Sequence, residues 1–283
     1  MKLVFACGGT GGHIFPAFSA AEEIKKRHPD AKIIYVCGKK DIENAIFKLV
    51  LNEKTFPIES APYRGPSSLI RPAFLSKLFS GFIESVKLIR REKPDLVVGF
   101  GGYVSFPAVL MARFLGVRTL LHEQNVVPGL SNKILKYFAD GLALSYAEAA
   151  PRLRHRNTRV TGNPIRSAIE EDKREQALAY FGFDAKKKTL LVLGGSQGAE
   201  SINKFFLEAL SHLPESIRGS IQVLHLCGRM TPENAEKIYA EKGVLARAHS
   251  FFDRMDLAYG AADLAVGRAG ATFLLLAKPH DKC

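Results

Sequence analysis

The chain has 283 residues, 47% hydrophobic and 24% charged. That balance excludes global disorder, and the length suggests about two domains. Its 40 basic and 28 acidic side chains leave a net charge of +12, which points to acidic partners: phosphorylated substrates, anionic lipid or nucleic acid.

KLVFAC (2–7) opens the chain as a strand. Its apolar run is short of the about 7–15 residues of a secretory signal core, so a cytoplasmic chain is expected. A glycine-rich turn and a helix from Pro16 to Arg27 follow, then the strand KIIYVCG (32–38) and a helical pattern around 41–51. DLVVGF (95–100) precedes a second glycine turn and a helix over 107–115, with Pro107 suited to its first turn. A spanning helix would need about 20 mostly apolar residues, and the longest uncharged stretch, 96–112, is broken by Gly99, Gly101, Gly102 and Pro107. VRTLLHE (117–123) and DGLALS (140–145) continue the series, and strand–helix alternation of this kind predicts a parallel sheet.

The pattern then restarts. TLLVLGG (189–195) leads into a helix, IQVLHLCG (221–228) into another over 231–242, and ARAHSF (246–251) and ADLAVGRAG (262–270) extend it. The expected fold is α/β, with two doubly wound Rossmann-like domains over 1–160 and 161–283. An apolar helix starts at Phe273 and the chain stops at Cys283, so the second domain is expected to be incomplete. Cys7, Cys37 and Cys227 end predicted strands. With Cys283 they are expected to be reduced thiols rather than a disulfide framework.

Three glycine loops carry the chemistry. In Gly8-Gly9-Thr10-Gly11-Gly12-His13, consecutive glycines let backbone N–H groups approach an anion at a helix N-terminus. The plain alternative is a tight turn, but four glycines in five positions exceed what a turn needs. No Lys follows for a Walker A loop. The dinucleotide fingerprint fails at Ile14 and lacks an acidic residue at Cys37-Gly38-Lys39-Lys40. Gly194-Gly195-Ser196-Gln197-Gly198-Ala199 repeats the arrangement, with Ser196 able to donate to a phosphate, and Gly99-Phe100-Gly101-Gly102-Tyr103 is the third loop. Three such loops suggest a site handling more than one phosphate.

His122-Glu123-Gln124-Asn125 follows a strand, where ligand contacts concentrate in open α/β sheets. Adjacent strand residues face opposite sides, so His122 and Glu123 make a poor chelate and no metal is expected. Hydrogen bonding to a ligand competes evenly with a structural role. Arg166, in Gly162-Asn163-Pro164-Ile165-Arg166, could pair with a phosphate or simply lie on the surface. The segment 64–93 has seven basic and two acidic residues, with Leu75, Leu78, Phe79, Phe82, Ile83, Val86, Leu88 and Ile89 at roughly helical spacing. It can lie on an anionic membrane or pack into the core.

Together GGTGGHIFPA (8–17), GFGGYVSFP (99–107), HEQN (122–125), GNPIR (162–166), LGGSQGA (193–199) and GRAGAT (267–272) resemble the MurG family. Its members are peripheral membrane glycosyltransferases of the GT-B fold that add N-acetylglucosamine to lipid I in peptidoglycan synthesis. The resemblance implies UDP-N-acetylglucosamine and a lipid-linked acceptor as substrates, an anionic membrane surface as partner, no cofactor, and a place at the cytoplasmic face of the membrane. It implies His13 as general base. Thr10, Gly11, Gly12, Asn125, Arg166, Ser196 and Phe252 would take the donor. Gly9, Gly101, Gly102 and Tyr103 would take the acceptor pyrophosphate, and His122, Glu123, Gln124 and Gln197 would line the cleft. Leu276 stands where the family carries a ribose-binding Glu. A UDP-sugar epimerase of similar architecture and a non-catalytic membrane-binding remnant are the alternatives. Nucleic-acid binding is not expected, because no recognition motif supports it.

Overall fold

The computed structural model describes residues 1–40, 54–63, 65–68, 70–164, 173–194 and 200–268. The chain forms two compact units, Met1–Pro164 and Ile165–Cys283. The helix expected around 41–51, and Arg166, Ser196, Gln197, Leu276 and Cys283, lie outside the described residues. Cys7, Cys37 and Cys227 are buried and form no disulfide among the described residues.

In the first unit seven parallel strands run in the order β3-β2-β1-β4-β5-β6-β7. They are β1 (Lys2–Ala6), β2 (Lys32–Gly38), β3 (Lys54–Ile58), β4 (Leu96–Gly99), β5 (Arg118–Glu123), β6 (Gly141–Leu144) and β7 (Thr158–Val160). The central strands are continuous apolar runs because helices can cover both faces of a parallel sheet. Val4, Ala6, Val97 and Leu121 are buried with Leu88, Val104, Ala108 and Val109 of the covering helices.

Helix α1 (Gly11–Arg27) starts five residues before the expected Pro16 and ends in Lys25, Lys26 and Arg27, which suit the negative end of its dipole. Helix α2 (Pro72–Glu92) has Pro72 in its first turn and a left-handed C-cap at Lys93. Helix α3 (Gly102–Phe114) likewise starts five residues before Pro107, which sits inside it. Ser105 Oγ, 2.7 Å from the carbonyls of both Ala6 and Gly101, ties that early first turn to β1. Short helices α4 (Leu130–Leu135) and α5 (Ala150–Leu153) complete this unit.

The second unit holds four parallel strands in the order β10-β9-β8-β11: β8 (Lys188–Leu193), β9 (Ile221–Leu226), β10 (Leu245–His249) and β11 (Leu264–Gly267). Helices α6 (Arg174–Phe181), α7 (Glu200–Ser211), α8 (Glu215–Ser220), α9 (Pro232–Glu241) and α10 (Met255–Ala261) accompany them. Each sheet reverses its strand order once, between β1 and β4 and between β8 and β11. Open α/β sheets bind ligands at the carboxyl ends beside such a reversal.

Candidate active site

At the first reversal Ala6 lies beside Gly99, and both strands turn into helices. Neither α1 nor α3 receives a side-chain cap: the hydroxyl of Thr10 makes no capping bond, and Gly101 has none to offer. Neither has an acidic residue in its first turn. Two uncapped N-termini therefore open at one edge of the sheet, each with orphan N–H groups and the positive end of a helix dipole, which suits an anion.

The glycines there are required twice over. Gly101 has φ 86° and ψ −174°, a region essentially closed to other residues. A Cβ on it would stand 3.1 Å from Cε1 and Nδ1 of His13. A Cβ on Gly102 (φ 76°) would stand 3.3 Å from Cδ2 of the same ring, and one on Gly9 (φ 84°) 2.9 Å from Cε1 of Tyr103. The three loop glycines thus seat two rings, His13 and Tyr103, between the helix starts. Thr10 and Gly12 are exposed, and Gly11 is buried.

His13 is half-buried. Burial pulls its pKa below the usual histidine value. Glu123, the Phe100 carbonyl and the Gln124 side chain all work in the opposite direction. The net result is a ring that is neutral at pH 7 and able to accept a proton. Among the described residues no contact completes a hydrogen bond to its enclosed Nδ1.

The end of β5 is divided between two roles. Glu123 Oε1 accepts from Asn125 N (3.0 Å) and Nδ2 (3.2 Å), and Oε2 from Gly129 N (3.1 Å) and Asn132 Nδ2 (2.9 Å). Four internal donors occupy this carboxylate, so it organises the loop 124–132. His122 is buried against the ring of Phe100 at 5.6 Å, its Nε2 3.3 Å from the Gly162 carbonyl. Burial lowers its pKa, and His13 adds to that; the Gly162 carbonyl and Glu123 oppose it. Gln124 is buried and donates from Nε2 to the Phe100 carbonyl at 2.8 Å, whereas Asn125 is exposed. Among the described residues no cluster of His, Cys, Asp or Glu is placed to hold a metal ion.

Sequence reasoning missed Asn132. A lone Asn in a short helix carries no motif, and only its burial between Glu123 and the His122 carbonyl (3.1 Å) marks it. Asn203 was missed for the same reason. Its Nδ2 donates to the Cys227 carbonyl at 2.8 Å, leaving Oδ1 to accept from His225 Nε2 at 3.0 Å. His225 Nδ1 then accepts from the Tyr239 hydroxyl at 2.9 Å. This buried chain fixes the start of α7 at the carboxyl end of β9. Phe252 is 8% exposed and packs on His249 at 4.9 Å and Phe181 at 5.4 Å, so its ring is largely committed to the core. Arg268 is exposed just beyond β11.

Two parallel sheets, each with a glycine-rich sequence after the strand at its reversal, have the architecture of the GT-B class of nucleotide-sugar glycosyltransferases. Residues 3–144 match the glycosyltransferase family 28 N-terminal domain, and residues 189–275 its C-terminal domain. The UDP-N-acetylglucosamine–N-acetylmuramyl-(pentapeptide) pyrophosphoryl-undecaprenol N-acetylglucosamine transferase of Citrifermentans bemidjiense is 38% identical over 278 residues, covering 96% of this chain and 74% of that protein. The enzyme of the same name from Syntrophus aciditrophicus is 38% identical over 275 residues, covering 96% and 73%. The crystal structure of Acinetobacter baumannii MurG aligns with TM-score 0.67 and 29% identity, covering 96% of this chain and 75% of that one. A UDP-GlcNAc 2-epimerase from Neisseria meningitidis aligns with TM-score 0.65 over 96% and 78%, but at 14% identity it shares the fold alone. The chain belongs to glycosyltransferase family 28 and, within it, to the MurG family.

Proposed function

We propose that the protein transfers N-acetylglucosamine from UDP-N-acetylglucosamine to the 4-hydroxyl of the N-acetylmuramic acid in undecaprenyl-pyrophosphoryl-MurNAc-pentapeptide, converting lipid I to lipid II. The observation that carries the chemistry is the pair of uncapped helix N-termini meeting beside a neutral His13. Gly9, Gly101, Gly102 and Tyr103 receive the acceptor pyrophosphate there, and Thr10, Gly11, Gly12 and Asn125 face the reacting sugars. His13 takes the proton of the attacking hydroxyl. The new C1–O bond forms as the C1–O bond to UDP breaks, and the electron pair leaves on the β-phosphate. Inversion turns the α-linked donor into a β-linked product. Arg166 and Ser196 belong with the UDP moiety, with Phe252 toward the base, and they meet its charge with a guanidinium and a hydroxyl in place of a metal.

A membrane role rests on α2. Leu75, Phe79 and Ile83 form an i, i+4, i+8 stripe that stays 47%, 66% and 41% exposed, while Leu88 and Ile89 enter the core. Glu84, one residue past the stripe, bonds the Glu59 amide at 2.6 Å and Lys39 at 3.0 Å, just beyond the carboxyl ends of β3 and β2. The stripe therefore leaves the sheet at the same edge as the glycine loops, which would bring the pyrophosphate site to a lipid surface. No helix among the described residues is long and apolar enough to cross a membrane. Peripheral binding at the cytoplasmic face fits this arrangement.

The test is acceptor-dependent transfer from UDP-N-acetylglucosamine to a lipid I analogue by the purified chain. Transfer is expected, with His13→Ala lowering kcat at least about 100-fold and leaving donor KM little changed. Absence of transfer, or acceptor-independent epimerisation of the donor, would overturn the reading.

A further inference from the structure

We infer that Gln124 is the positioning residue that sets the proton on His13, holding it on Nδ1 so that Nε2 is the basic nitrogen. The inference rests on the reading of His13 as general base and adds which nitrogen acts and what selects it. Nδ1 of His13 and Oε1 of Gln124 are both enclosed, and neither has a completed hydrogen bond among the described residues. An enclosed donor-capable nitrogen and an enclosed acceptor in the same small site supply what each other lacks, and leaving both unmet carries a desolvation cost.

The orientation of the Gln124 amide follows from chemistry. Its nitrogen end lies 2.8 Å from the Phe100 carbonyl, which can only accept. The opposite end is therefore the oxygen, an acceptor with no proton to give. The neighbours seen by the His13 ring are consistent with this: the Gln124 side chain and the Phe100 carbonyl both favour its protonated form. A histidine that donates from one nitrogen has its lone pair on the other. Because Nδ1 is sealed on the side of Gly101, Nε2 is the nitrogen left for a hydroxyl. Among the described residues the titratable groups that act on the ring are Glu123 and His122, both from the end of β5, and α3 brings Gly102 to it. Glu123 is already saturated by four donors and cannot take the Nδ1 proton itself.

The experiment reads the imidazole tautomer directly by long-range ¹⁵N–¹H NMR of the full chain at pH 8, where the ring is neutral and no turnover is needed. Wild-type His13 should show Nδ1 protonated and Nε2 bare. In Gln124→Met, which removes the acceptor, Nε2–H should become a major form, with kcat down at least about tenfold and KM for the donor unchanged. Gln124→Glu keeps an acceptor and adds charge. It should restore the Nδ1–H tautomer and move the acidic limb of the kcat profile up by about 1–3 pH units. A wild-type ring protonated on Nε2, or a Gln124→Met ring with unchanged tautomer, overturns the inference. If Gln124→Met does not fold, the wild-type and Gln124→Glu spectra decide. If His13→Ala keeps its turnover, the base assignment fails while the tautomer result stands by itself.

Discussion

Asn132 donates its side-chain amide to Glu123 Oε2 at 2.9 Å, and both residues are 1% exposed. The pair closes a loop that also holds Asn125 and Gly129 on the same carboxylate. Glu123→Gln keeps the size but replaces one acceptor oxygen with a donor, which then faces backbone N–H groups or Asn132. A loss of about 2–3 kcal/mol is expected, read as a lowered urea midpoint. Glu123 also raises the His13 pKa. Without its charge that pKa falls further, so the acidic limb of the kcat profile should move to lower pH. An unmoved limb in a folded variant would show that the carboxylate does not act on His13.

Gly101→Ala separates strain from crowding when set beside Gly116→Ala. Both positions have positive φ, 86° and 75°, but only Gly101 would place its methyl against another group, 3.1 Å from the His13 ring. Gly116→Ala should cost about 1–2 kcal/mol and leave kcat alone. Gly101→Ala should cost about 1–3 kcal/mol from backbone strain and, by displacing the ring, lower kcat at least about tenfold. Thermal melts with transfer rates on the same samples check both. Equal kcat in the two variants would show that the ring position tolerates the shift.

Much of this site was readable from residue order because central parallel strands are unbroken apolar runs and each glycine loop follows one directly. The first turns of α1 and α3 were not. Gly11, Gly12, Gly102, Pro16 and Pro107 are poor helix formers, and it is the anchoring of Ser105 on Ala6 and Gly101 that sets the start of α3. The edge strands β3 and β7 also escaped notice. The first contains Pro57, which an edge tolerates, and the second is three partly exposed residues. Glu123 was read as a residue facing the cleft, because spacing shows where a carboxylate sits but not that four donors of its own loop consume it.

His225 gives the second unit a pH signature. Burial depresses its pKa to about 4, against about 6.5 in an unfolded chain. Above pH 6.5 neither state binds the proton, and its contribution is full. Between pH 6.5 and about 4 the unfolded chain takes up a proton that the native ring refuses, so stability falls as pH falls. The loss amounts to about 3 kcal/mol across that window. Urea midpoints from pH 7 to pH 4 should therefore fall less steeply in His225→Gln than in the wild type. Tyr239→Phe strips the donor from Nδ1 and should cost about 1–3 kcal/mol at pH 7. Parallel slopes in wild type and His225→Gln would contradict the assignment.

The stripe on α2 predicts which substitutions detach the protein from a lipid surface. Among the bases of this segment Arg91 is already engaged, 2.9 Å from Glu92 and over the Phe56 ring, so neutralising it would disturb packing as well as charge. Leu75 and Phe79 carry no such burden. Leu75→Gln with Phe79→Gln removes apolar surface worth about 2–3 kcal/mol when inserted in lipid, a loss of about thirtyfold or more in partition to vesicles of mixed phosphatidylglycerol and phosphatidylcholine. Lys87→Gln with Arg90→Gln should cost about 1 kcal/mol per charge on the same vesicles, and almost nothing on pure phosphatidylcholine. Both pairs should keep wild-type turnover on a water-soluble acceptor, because neither set of residues touches the glycine loops. Unchanged partition of the apolar double variant would place the membrane contact elsewhere on the chain, whatever the charge variants do.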